Sequence, residues 1–90
     1  MRRRVEIRVF GKVQGVFFRN EAKDIADSFG LFGWIKNEGD GSVKIVAEGD
    51  EEKLKELVEW CRSGSEWSRV ELIDTEWHKA TGEFTSFKIS

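Results

Sequence analysis

Ninety residues make one folded unit, because a domain of this size already buries only roughly 60–65 % of its unfolded surface and a second core does not fit. Apolar residues make up 39 % of the chain, with seven Phe and four Trp, and charged residues 36 %, both signs interspersed, for a net charge of −2. That balance rules out a global basic field for nucleic acid; no apolar run approaches the ~20 residues of a membrane span, and a lone Cys cannot close an internal disulfide.

The N-terminus lacks the apolar stretch of a signal peptide, so the expected location is the cytoplasm, a reducing compartment. The one basic run, Met1 to Arg4, is short and reads as the solvated start of a strand. The charge-rich composition, with one Cys and one Met, leans towards heat tolerance. The absence of Pro points the other way.

Val5, Ile7 and Val9 alternate with Arg4, Glu6 and Arg8, the period-two signature of a half-buried strand. Gly11 to Phe18 follows with neither period. From Arg19 onward, Ala22, Ile25, Ala26 and Phe29 recur at helical spacing, and Gly30 supplies the stop. Phe32 to Asn37 reads as a second strand and Ser42 to Glu48 as a third, joined by the hairpin residues Glu38-Gly39-Asp40-Gly41. Asp50 is placed to cap a second helix whose first turn carries Glu51 and Glu52 and whose stripe is Leu54, Leu57, Val58 and Cys61. Ser63-Gly64-Ser65 ends it. Val70 to Trp77 and Thr85 to Ile89 read as the last strands, with a turn near Ala80-Thr81-Gly82.

The order β-α-β-β-α-β with a short extra C-terminal strand predicts an α+β, ferredoxin-like sandwich: an antiparallel sheet with two helices on one face. The expected core strand order is 4-1-3-2, with the last strand's position open.

Between the first strand and the first helix, the Gly-bearing loop has the makings of an anion site. The first amides of a helix lack internal acceptors and carry the positive end of its dipole. At Gly15 the absence of a Cβ lets backbone approach a ligand, and Arg19 offers a planar fork at the helix start. A solvated first-turn Arg after an ordinary glycine loop is the plain alternative. Asn37 ends the second strand and shares parity with Ile35, so it faces the helices and the loop if Ile35 does. Its amide can accept from a water. Alternatively it merely starts the hairpin.

Gly11 to Arg19 match in full the segment G-x-V-Q-G-V-x-[FY]-R, and Gly33-Trp34-Ile35-Lys36-Asn37, Gly41-Ser42-Val43 and Gly49 match a second segment, G-W-[VI]-x-N with a Gly-x-Val hairpin and a later Gly. In both segments, and in its element pattern along nearly all of its length, the chain resembles the acylphosphatases. The resemblance implies hydrolysis of acyl phosphates to a carboxylate and inorganic phosphate. It implies that Arg19 and the loop amides from Gln14 through Gly15, Val16 and Phe17 to Phe18 bind the phosphoryl group, and that Asn37 orients the attacking water. It further implies that Gly15 and Ser42 help to position Asn37, and that no metal or cofactor takes part. Ile35 stands where Val is commoner, and Gly64-Ser65-Glu66-Trp67-Ser68 lacks a proline often present there.

The expected agent is a monomer acting on small carboxyl-phosphates, with phosphate as product and inhibitor and with neither nucleic acid nor membrane as partner. An acyl phosphate has a good carboxylate leaving group, so positioning and electrostatics suffice without a His–Asp or Cys–His pair. His78 reads as a surface or edge residue and Cys61 as helix packing. Two other classes share parts of this pattern. An anion or carbamoyl-phosphate binding module, like the acylphosphatase-like domains heading larger hydrogenase-maturation proteins, would keep the cradle for regulation. An RNA-binding ferredoxin-like sheet would need exposed strand aromatics. The outward residues expected here are Arg4, Glu6, Arg8 and Phe10 on the first strand and Ser42, Lys44, Val46 and Glu48 on the third.

Overall fold

The alternation around Val5, Ile7 and Val9 forms β1 (Arg2–Lys12) in the computed structural model, which describes residues 1–90. The chain continues through α1 (Phe18–Ser28), β2 (Phe32–Asn37), β3 (Val43–Asp50), α2 (Glu51–Ser63), β4 (Arg69–Lys79) and β5 (Phe87–Ile89). The sheet order is β4-β1-β3-β2-β5. The first four strands pair antiparallel in the expected order.

The fifth strand, whose place the sequence left open, joins the antiparallel four in parallel. Gly33, Trp34 and Ile35 pair in parallel with Phe87, Lys88 and Ile89, so the sheet is mixed. From β4 at one edge, the chain crosses the sheet's width through residues 80–86 and adds β5 at the other edge. Only three residues find a partner there, so the strand starts at Phe87 and not at Thr85.

Both helices cover the face that carries Val5, Ile7, Val9, Ile35, Val43, Ile45 and Ala47. Ala22 and Ala26 of α1 and Leu54, Leu57, Val58 and Cys61 of α2 meet these in one cluster. Gly30 (φ +69) closes α1 as read: its N–H donates to the Asp27 carbonyl, and that of Leu31 to the Ala26 carbonyl, the paired bonds of a Schellman ending. Asp50 does stand at the N-cap of α2, but its side chain caps nothing. It takes the N-terminal ammonium at 3.3 Å, while Met1 O accepts the Glu51 amide at 2.8 Å.

On the other sheet face, Val46 and Glu48 are not outward in the sense of exposed: both are buried. Glu48 accepts hydrogen bonds from the Thr81 and Gly82 amides, the Thr81 hydroxyl and Arg4 Nη1. These bonds pin the crossing segment onto the sheet. Arg4 also meets Glu83 at 2.6 Å and lies over the Phe84 ring. Burial would push the Glu48 carboxyl up, but the donors outweigh it and leave the group below its ordinary value.

Candidate active site

Five residues carry the chain from Lys12, the end of β1, to Phe18, the start of α1. Val13 and Val16 are buried and anchor this loop, and Phe18 packs tilted against Trp60 with ring centroids 5.0 Å apart. The loop turns on two positive φ angles, +71 at Gly15 and +63 at Phe17. A Cβ at Gly15 would meet nothing within 4 Å. The glycine is needed there for its backbone angle and for open approach, not to relieve a packed contact.

The amides of residues 14–20 make no hydrogen bond within the protein. The first turn of any helix leaves such donors over. Here no side chain caps them, because the N-cap residue is Phe17. Val13, Gly15, Phe17, Phe18, Arg19 and Asn20 line a cleft of about 280 Å³ over this loop. Arg19 enters it from the second residue of α1. One of its nitrogens, Nη1, donates to the Ser90 carbonyl at 3.3 Å, a brace from the end of β5 that leaves the rest of the fork available.

Asn37 ends β2 opposite Val43. β1 and β2 each run antiparallel to β3, so they run the same way and end at the same edge of the sheet. The structure joins these ends through Gln14, whose Nε2 donates to Glu38 O at 2.8 Å and Ser42 O at 2.9 Å. The loop is thereby clipped to the hairpin that begins one residue after Asn37. Among buried side-chain nitrogens and oxygens, Asn37 Oδ1 is the one without a hydrogen-bond partner. The residue is not among those lining the cleft; the Gln14 clip is what relates the two.

Ser42 is buried, and its hydroxyl and amide both donate to Asp40 Oδ1, which lowers the Asp40 carboxyl. Its own carbonyl accepts from Gln14 and from the Glu38 amide. Ser42 thus shapes the hairpin that follows Asn37 and makes no hydrogen bond to the Asn37 side chain.

Like the Gln14 clip, a second supporting contact has no signal in the sequence. Ser65, in the segment that lacks the proline, donates from its buried hydroxyl to Val16 O at 2.7 Å. That bond fixes the cradle's carbonyl and with it the direction of the Phe17 amide. Gly64 (φ +69) lets this segment come close: a Cβ there would clash with Ser68 Oγ and meet Phe18 at 3.1 Å.

The other candidate nucleophiles lie elsewhere. Cys61 is fully buried in α2, and burial pushes its thiol up to about 12. His78 is exposed on the edge strand β4, 3.6 Å from Glu76. No group of three His, Cys, Asp or Glu residues is arranged to hold a metal ion, and no helix is long and apolar enough to cross a membrane.

Comparison with known proteins identifies the family. The acylphosphatase family model matches residues 5–89. An acylphosphatase of Pelotomaculum thermopropionicum is 47 % identical over 99 % of this chain and 97 % of its own. The crystal structure of acylphosphatase from Bacillus subtilis superposes with a TM-score of 0.94 at 39 % identity, covering 100 % of this chain and 99 % of that one. Full-length HypF, in its phosphate- and nucleotide-bound form, contains a similar unit: TM-score 0.86, 26 % identity, all of this chain but 12 % of that one. With the family model and a near full-length relative in agreement, the chain belongs to the acylphosphatase family, hydrolases of acyl phosphates.

Proposed function

We propose that the amides of Gln14 to Phe18 and the Arg19 guanidinium bind the phosphoryl group, and that Asn37 orients the water that attacks it. The observation that carries this reading is the run of unengaged amides beside Arg19, within a cleft, tied by Gln14 to the hairpin next to Asn37. Amides and guanidinium together suit an anion with several oxygens. A buried acceptor without a donor costs roughly 1–3 kcal/mol, a cost that a water donating to Asn37 Oδ1 would remove.

In this reading the water oxygen bonds to phosphorus while the bond from phosphorus to the acyl oxygen breaks. The acyl part leaves as a carboxylate, stable without protonation, and the water's protons pass to solvent and phosphate. The transition state spreads charge over the phosphoryl oxygens, where the amides and Arg19 are already in place. Ser42, Gln14 and Ser65 hold the parts in register.

The same reading has residues 1–90 act as one domain and as a cytoplasmic monomer, with no cofactor, metal or nucleic acid. Steady hydrolysis of benzoyl phosphate by the purified protein, inhibited competitively by inorganic phosphate and indifferent to EDTA, is the expected outcome. Activity lost on chelation and restored by a divalent ion would contradict it.

A further inference from the structure

Phe17 breaks three local rules at one position. It holds φ at +63, a region that a bulky side chain rarely adopts. It occupies the N-cap of α1 without a capping group. The residue is 65 % exposed and belongs neither to the core cluster nor to the residues packed against it. Such coincidences are expected where function overrides local preference.

Part of the explanation is local. A Ser, Asp or Asn at the N-cap would accept from the amide of Arg19 or Asn20 and so compete with an anion there. An apolar residue keeps those donors open, but Gly would do the same with less strain. The ring itself remains to be explained, and its position does so: it lines the same cleft as Gly15 and Arg19. A substrate whose phosphoryl group lies on the amides must place its acyl group close by, since only one oxygen separates them.

Resting on the reading above, we propose that the Phe17 ring is the acyl-group platform of the cleft. It selects acyl phosphates with an aromatic or bulky apolar acyl group over acetyl phosphate. Face or edge contact between two rings gives a moderate preference, roughly 3- to 10-fold.

The test compares benzoyl phosphate with acetyl phosphate in the wild type, Phe17→Gly and Phe17→Trp. The ratio of kcat/KM values for the two substrates cancels any general change in the cradle. It should fall roughly 3- to 10-fold in Phe17→Gly and be kept or raised in Phe17→Trp. The affinities of phenylphosphonate and methylphosphonate, measured by displacement of inorganic phosphate, should change in the same sense. An unchanged ratio in Phe17→Gly, or a ratio lost equally in Phe17→Trp, would overturn the proposal. If the wild type hydrolysed neither substrate, the hydrolytic reading would fall. The phosphonate preference would then decide the role of the ring by itself.

Discussion

Two regions of this molecule set backbone amides beside an arginine. Over the open sheet face, the Thr81 and Gly82 amides and Arg4 surround Glu48, and the anion is the protein's own. At the head of α1, beside Arg19, the backbone amides of residues 14–20 have no acceptor within the protein, carboxylate or other. The chemistry is alike, and the consequence differs. The closed arrangement is a structural clamp whose donors are all used. The open one leaves its donors unused within the protein, and its shape is held by Gln14, Ser65 and the anchors Val13 and Val16.

Substitutions should separate the two regions cleanly. Asn37→Ala should lose roughly 10²-fold or more in turnover, by analogy with removal of an oxyanion donor, while inhibition by inorganic phosphate changes far less. Initial rates with and without added phosphate check this, and full turnover in that variant would break the assignment of the water. Arg19→Lys keeps the charge but loses the planar grip. If Arg19 meets the phosphoryl charge in ground state and transition state alike, as proposed, a loss of roughly 10- to 100-fold in kcat/KM is expected, with phosphate inhibition weakened alongside.

The closed region should answer in stability and not in catalysis. Glu48→Gln leaves Arg4 with one carboxylate fewer and the crossing segment with a weaker acceptor, so about 2 kcal/mol should be lost in urea unfolding with turnover retained. Its pH dependence has a definite sign. A carboxyl held below its ordinary 4.5 contributes fully above that value, and the contribution disappears as pH falls through the lowered one. Acid unfolding of Glu48→Gln should lack this component; an identical acid limb would show the clamp to be energetically idle. Smallest of all, His78→Ala should leave both turnover and stability near wild type, since the residue is exposed and its ion-pair partners, Glu6 and Glu76, lie 3.6 Å or more away.

The two regions also differ in how far they could be read from sequence. The cradle is local: Gly15, the start of α1 and Arg19 are consecutive, and helix-terminus physics acts within a few residues. For Asn37, the place at the end of β2 is legible because the strand ends where its pattern does, while the buried, unpartnered Oδ1 is a fact of the fold alone. The Glu48 clamp was not legible. In a strand that alternates, a Glu on the polar face reads as solvated, and only the path of residues 80–86 across the sheet buries it. The same crossing decides that β5 pairs in parallel beside β2, which three paired residues cannot announce. Ser65 shows the limit within the site itself. Its bond to Val16 spans 49 residues, and a Ser in a Gly-Ser loop carries no mark of a distant carbonyl. The side-chain role of Gln14 was hidden for a similar reason, since its motif position pointed to its amide alone.

The central claim, that the amides at the head of α1 are kept open for a phosphoryl group while those at Glu48 are closed, can be read residue by residue. Amide proton and nitrogen shifts followed by NMR during titration with inorganic phosphate provide the measurement. Saturable shifts concentrated at Gly15 to Arg19, with Thr81 and Gly82 unmoved, are the predicted result. Shifts centred on Thr81 and Gly82, or no saturable response at Gly15 to Arg19, would contradict it.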